Sequence, residues 1–126
     1  MNNSRRKLLG AAGAVAVAGS VPSLPAWANS PVKIGMSMPQ TGPLGGGGKA
    51  ALVALQMWVD DVNGRGGLLG RKVEFVAYDD QGSPANTPGI YSKLLDVDKV
   101  DLLLAPYATV PTAPILPLVK QRGKLL

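Results

Sequence analysis

Between residues 32 and 105 the chain alternates short β-prone runs with longer stretches of helical period. Val32 to Met38 (VKIGMSM) is a strand that Pro39 closes, because proline cannot donate to a sheet ladder. From Ala50 to Asn63 the spacing changes. Ala51, Leu55, Trp58 and Val62 fall on one helix face with Leu52 and Val59 beside it, while Gln56, Asp60 and Asn63 line the other. Gly64 is placed to supply a left-handed cap, with Gly66-Gly67 as the turn after it. Lys72 to Tyr78 (KVEFVAY) alternates, with Val73, Phe75 and Ala77 on one side, and predicts a second strand ending at the turn residues Asp79-Asp80-Gln81-Gly82.

A second helix starts at Ser83-Pro84 or Thr87-Pro88, both of which pair a capping hydroxyl with a proline suited to the first helical position. It carries Ile90, Leu94, Leu95 and Val97 inward. Val100 to Ala105 (VDLLLA) is nearly all apolar after its aspartate, the pattern of a central parallel strand covered on both faces. A third helix from Pro111 to Gln121 should kink at Pro117, unless PTAPILP is instead a polyproline II segment. Gly123 to Leu126 reads as the start of a fourth strand. The order β-α-β-α-β-α-β predicts an α/β fold on a parallel, doubly wound sheet. A sheet cut at the start of its fourth strand further predicts that residues 29–126 are the N-terminal portion of a larger lobe.

Met1 to Ala28 has a different character. Arg5, Arg6 and Lys7 precede an uncharged Ala/Val/Leu/Gly stretch from Leu8 to Val21, and Ala26-Trp27-Ala28 forms an A-x-A cleavage site. The apolar stretch is shorter than the roughly 20 residues that span a bilayer. Ser4-Arg5-Arg6-Lys7-Leu8-Leu9 resembles a twin-arginine export signal, which implies passage through the twin-arginine translocase; an ordinary secretory signal with two adjacent arginines is the alternative. This segment holds three of the 13 basic residues and none of the eight acidic ones, so residues 29–126 carry ten against eight. That near balance removes nucleic acid as a partner, despite the whole-chain charge of +5. With no cysteine there is no disulfide framework, no thiolate zinc site and no lipid-bearing cysteine at the cleavage point. With no histidine there is no Ser-His-Asp apparatus and no imidazole metal ligand, so neither a metal nor a cofactor is expected.

The stretch QTGPLGGGGKAAL, Gln40 to Leu52, raises the question of phosphate binding. A P-loop needs G-x-x-x-x-G-K-[ST]; with Gly48-Lys49 in register, Pro43 and Ala50 occupy two of the fixed positions and break the motif. The dinucleotide pattern G-x-G-x-x-[GA] is met by Gly45, Gly47 and Ala50, and Asp79 follows the second strand as a ribose-binding acid would. That leaves an exported Rossmann-type NAD(P)-dependent oxidoreductase as the alternative function. Against it, Pro39 to Leu44 separates the first glycine from the strand, where the motif requires a tight turn.

Three stretches, VKIGMSMPQTGPL, WVDDVNGRGGLLGRKVEFVAYDDQGSP and LLLAPYATVPTAPILPLVKQRGKLL, cover nearly all of residues 31–126. Within them, D-x-N-x-x-G-G-[IL]-x-G-[RK]-x-[VIL] runs from Asp61 to Val73 and is followed by Tyr78-Asp79-Asp80. Together they resemble the N-terminal lobe of the amino-acid-type periplasmic solute-binding proteins of ABC importers, among them leucine, isoleucine and valine binders. The resemblance implies a type I fold of two lobes, of which this chain is an incomplete first lobe. It also implies a periplasmic receptor without enzymatic activity or cofactor, which passes a small solute to an inner-membrane ABC permease.

By the same resemblance, Thr109 matches the hydroxyl residue that meets a solute carboxylate, helped by the N–H groups that begin the following helix; capping that helix is its other possible role. Tyr107 stacks on the solute or packs at the lobe edge, and Ala108 lies between the two. Relatives often place a bulky, commonly aromatic, side chain in the first loop, at a point equivalent to about Gly47, with Leu44 nearby. The glycine leaves that space open, so leucine specificity does not carry over and an aromatic acid, an amide or a larger amino acid also fits. Asp79-Asp80 read as turn and cap residues rather than metal ligands. Replacing Arg5 and Arg6 with lysines is expected to leave the uncleaved precursor in the cytoplasm; normal cleavage and export on cell fractionation would refute the twin-arginine reading.

Overall fold

The computed structural model describes residues 30–126, so the expected export signal, with Arg5 and Arg6, lies outside the described residues. In chain order the elements are β1 (Val32–Ser37), α1 (Gly45–Gly64), β2 (Val73–Tyr78), α2 (Thr87–Asp96), β3 (Leu102–Leu103), α3 (Thr109–Thr112) and α4 (Leu116–Gln121). The strands form one parallel sheet in the order β2-β1-β3, with Val32 opposite Val73, Ser37 opposite Tyr78, and Ile34 opposite Leu102.

Helices cover both faces. Val32, Ile34 and Val73 pack with Val59 of α1, joined by Val62, Leu68 and Phe75. On the other face Tyr91 and Leu94 of α2 meet Val100, Leu103, Ile115 and Val119, with Val76 and Tyr78 beside them. The period-2 alternation of β2 thus sends Phe75 to one layer and Val76 to the other. Gly35 of β1 faces the second layer, where an added Cβ would come within 2.9 Å of both Leu94 and Val100.

Several sequence expectations are corrected. The central strand is β1, not the run at residues 100–105. Only Leu102 and Leu103 are in strand conformation there, and Leu102 is 45% exposed because β3 lies at the sheet edge among the described residues. Residues 124–126 form no strand; Gly123, at φ 60°, ends α4, and the Lys124 N–H donates to the Val119 carbonyl at 3.1 Å. The expected third helix starts at Thr109 and is divided by a 3-10 turn at Ala113–Ile115, so that Pro117 falls in the first turn of α4 rather than in a helix interior, and the polyproline II alternative is not adopted. In α2 Leu94 is fully buried and Ile90 and Leu95 pack against the same cluster as expected, but Thr87 and Tyr91 are buried too, while Val97 follows the helix and is 68% exposed.

The largest difference concerns α1, which begins at Gly45, so the four glycines are its first turn rather than a loop. Glycine disfavours helix by about 1 kcal/mol relative to alanine, and here tertiary packing overrides that preference. An added Cβ on Gly48 would lie 1.8 Å from the Pro39 carbonyl oxygen, and one on Gly45 would lie 3.0 Å from that of Gln40. The first turn therefore rests directly on the backbone leaving β1. This fixes the buried stripe as Gly45, Gly48 and Val59, and leaves Trp58 exposed rather than inward. At the other end Gly64 is still helical, and the left-handed conformations fall to Gly66 and Gly67 instead.

Two alanine variants separate these roles. Gly48→Ala is expected to destabilise the fold by about 1–3 kcal/mol, as overpacking does. Gly46→Ala, whose Cβ meets nothing within 4 Å, is expected to be neutral or stabilising by up to about 1 kcal/mol. Thermal or urea melts of the two proteins check the contrast.

Candidate functional site

Because the three strands are parallel, the segments leaving them, residues 38–44, 79–86 and 104–108, emerge at one edge of the sheet. Open α/β sheets bind their ligands at this carboxyl edge. Hydrogen bonds tie the three segments together. The Asp79 carboxylate accepts from the Gln40 N–H at 2.8 Å, the Thr41 hydroxyl at 2.6 Å and the Gln81 N–H at 2.9 Å. These donors, led by the Thr41 hydroxyl, hold its pKa down to about 2.

Beneath that clamp lies a buried layer. Ser37, Asp80 and Thr87 are fully buried polar residues. The Ser37 hydroxyl donates to Asp80 at 2.6 Å, and Asp80 also accepts from the Gly82 N–H at 2.8 Å. The Tyr91 hydroxyl donates to the Leu104 carbonyl and receives the Ser37 N–H at 3.4 Å. Burial pushes the Tyr91 pKa up to about 12, so the phenol stays protonated and keeps donating. The Thr87 hydroxyl reaches the Pro111 carbonyl at 2.9 Å, joining the start of α2 to α3.

The residues predicted from the sequence all lie along this edge. Leu44 precedes the first turn of α1 and is 41% exposed, and Gly82 of the second segment lies beside its side chain. Gly47, in that turn, is exposed, and the space above it is filled: an added Cβ would lie 2.6 Å from the Tyr107 hydroxyl oxygen. Tyr107 is itself 47% exposed. Ala108 caps α3 with extended backbone and makes no side-chain cap bond, so Thr109 is not the cap but the first, exposed residue of α3. That helix is only four residues long and includes Pro111, which has no N–H, so the helical dipole expected behind Thr109 is slight.

Asp79 and Asp80 are turn residues as expected, yet they also clamp the first loop to the second. Sequence reasoning missed Ser37, Thr87 and Tyr91. The signal available was weak: a serine near the end of an apolar strand and a tyrosine at helical spacing from Leu94. The clamp also bears on the dinucleotide alternative, since the carboxylate that would hold a ribose is engaged by Thr41 and backbone N–H groups. A basin of about 490 Å³ at the opposite sheet edge is lined by Lys33, Arg71, Lys99, Asp98 and Asp101 among others. Three of these charged groups are engaged: Arg71 donates to the Ser30 and Pro31 carbonyls, Asp101 accepts from the Lys33 backbone N–H, and Asp98 accepts from the Tyr78 hydroxyl. Among the described residues no group of three His, Cys, Asp or Glu is arranged to hold a metal ion, and no helix is long and apolar enough to cross a membrane.

A doubly wound parallel lobe that gathers its strand-exit loops at one edge defines the class as an α/β binding domain. The chain belongs to the periplasmic binding protein family, which it matches over residues 31–126. Its fold is the type I periplasmic binding protein fold. A Leu/Ile/Val-binding protein of Rhizobium johnstonii is 28% identical over 99 residues, covering 79% of this chain and 27% of that protein. Among solved structures, a branched-chain amino acid transporter substrate-binding protein of Streptococcus pneumoniae in complex with isoleucine is 26% identical at a TM-score of 0.71, covering 75% of this chain and 27% of the other. A fatty acid ABC transporter substrate-binding protein of Thermomonospora curvata, 24% identical at a TM-score of 0.70 over 75% of this chain and 24% of its own, shares the fold. The chain thus spans about a quarter of the length of these relatives.

The clamp has a pH signature. A carboxylate with a depressed folded-state pKa contributes stability that is present above its unfolded value, near 4, and is lost as pH falls toward the folded value of about 2. Stability should therefore decline from about pH 4 to pH 2. Asp79→Asn is expected to be less stable than the parent at pH 7 and to show a flatter decline in that window, which denaturant melts across pH would reveal.

Proposed function

We propose that this chain is the solute-contacting part of the first lobe of a non-enzymatic receptor in an ABC uptake system. On this reading the receptor is exported by the twin-arginine translocase and works in the periplasm. It captures a small carboxylate-bearing solute, a branched-chain or related amino acid or an aromatic acid or amide, and delivers it to the membrane permease. The observation that carries this is Thr109, exposed at the carboxyl edge on a segment held by buried bonds from Thr87 and Tyr91. A hydroxyl anchored on a fixed backbone is already oriented for a carboxylate, so little ordering is lost on binding.

In this scheme the solute carboxylate accepts from the Thr109 hydroxyl, while Leu44 and Tyr107 provide apolar surface for the remainder. Closure of a second lobe over the first excludes water and strengthens each polar contact. The names of the Rhizobium and Streptococcus relatives support branched-chain amino acids as the first solutes to try.

Isothermal titration of the protein with L-leucine, L-isoleucine, L-valine and L-phenylalanine tests the reading. Thr109→Ala is expected to weaken binding by about 1.5–3 kcal/mol, the contribution of a hydrogen bond to a charged group, with Thr109→Ser retaining most of it. Binding of NAD(P) with no binding of any amino acid would overturn the receptor reading in favour of the oxidoreductase.

A further inference from the structure

We propose that Tyr107 and Gly47 are a reciprocal size pair that determines which solute side chains the pocket accepts, an inference that rests on the receptor reading above. The outer half of the Tyr107 ring occupies the volume that a side chain at position 47 would fill. A Cβ there would lie 2.6 Å from its hydroxyl oxygen, 3.2 Å from Cζ and 3.6 Å from Cε1.

The glycine at this position is not required by its own backbone conformation. Gly47 is not in the left-handed region, and unlike Gly48 it is opposed by a ring rather than by backbone. One residue earlier, at Gly46, a Cβ would meet nothing within 4 Å, so the ring sits over position 47 in particular. The ring therefore bridges the third loop to the first turn of α1 and closes the gap between them.

The backbone between Tyr107 and Thr109 links this wall to the carboxylate anchor. Ala108 is extended, at φ −132° and ψ 159°. In extended chain, side chains two positions apart project to the same side. A solute held by its carboxylate at Thr109 thus has Tyr107 alongside, where its own side chain begins. With the ring in place, space in that direction is limited; without it, the gap above Gly47 becomes available to the solute.

The experiment measures affinities for L-leucine and L-phenylalanine in the parent, Tyr107→Ala, Gly47→Ala and the double variant. Tyr107→Ala is expected to shift the ratio toward L-phenylalanine by roughly tenfold or more, the scale on which apolar pockets discriminate by size. Gly47→Ala should push the ring into the pocket and weaken L-phenylalanine binding severalfold, yet change the ratio by less than about twofold once Tyr107 is already alanine. Tyr107 is half-exposed, and far-UV circular dichroism with thermal melts confirms that each variant folds. An unchanged ratio in Tyr107→Ala, with binding still dependent on Thr109, overturns the pair and leaves the receptor reading intact. No binding of either amino acid by the parent overturns the pair, and the receptor reading falls with it only when NAD(P) binds instead.

Discussion

The position of β1 between two parallel partners is the constraint on which the rest depends. It fills both neighbouring ladders and buries its last residue, Ser37, under the edge where three loops emerge. From there Ser37 donates its hydroxyl to Asp80 and its N–H to the Tyr91 oxygen, while the Tyr91 hydroxyl donates in turn to the Leu104 carbonyl. One buried residue is thereby connected to the segments that follow β2 and β3. In a low-dielectric interior such bonds are strong when complete and costly when broken. Loops that would otherwise move independently are held as one surface.

The four consecutive glycines show how one composition serves several purposes. Gly45 and Gly48 let the first turn of α1 sit against the carbonyls of Gln40 and Pro39. Gly47 opens toward the Tyr107 ring, and Gly46 faces open space. None of this resembles a phosphate cradle, in which glycine frees backbone N–H groups to meet an anion. Here the missing side chains bring protein backbone and an aromatic ring closer together.

Much of the architecture was legible. The β-prone run at 32–38 and the alternating run at 72–78 hold strands, the helical period at 50–63 lies within α1, the second helix starts at Thr87, one of its two expected starts, and the proline-rich stretch after residue 110 is a broken helix. Trp58 and Val97 were misplaced because apolar character alone does not say which side of a helix meets the sheet; the glycine face of α1 and the Tyr91-Leu94 stripe of α2 decided it. At the site, Thr109, Tyr107, Gly47 and Leu44 were identified through family resemblance, and Asp80 was read only as a turn residue. The buried bonds of Ser37, Thr87 and Tyr91 were missed, because their partners lie as far as 54 positions apart in the chain and these three belong to no spaced motif.

The sequence by itself determined the alternation of strand and helix, the parallel doubly wound class and the family. These follow from local periodicity, turn chemistry and a spaced motif between Asp61 and Val73, all properties of neighbouring residues. The tertiary structure alone decided that β1 is central, that the glycines are helical and that the space above Gly47 belongs to Tyr107. Each of these is an encounter between segments remote in sequence, settled by which surfaces can approach without overlap and which buried polar groups find partners.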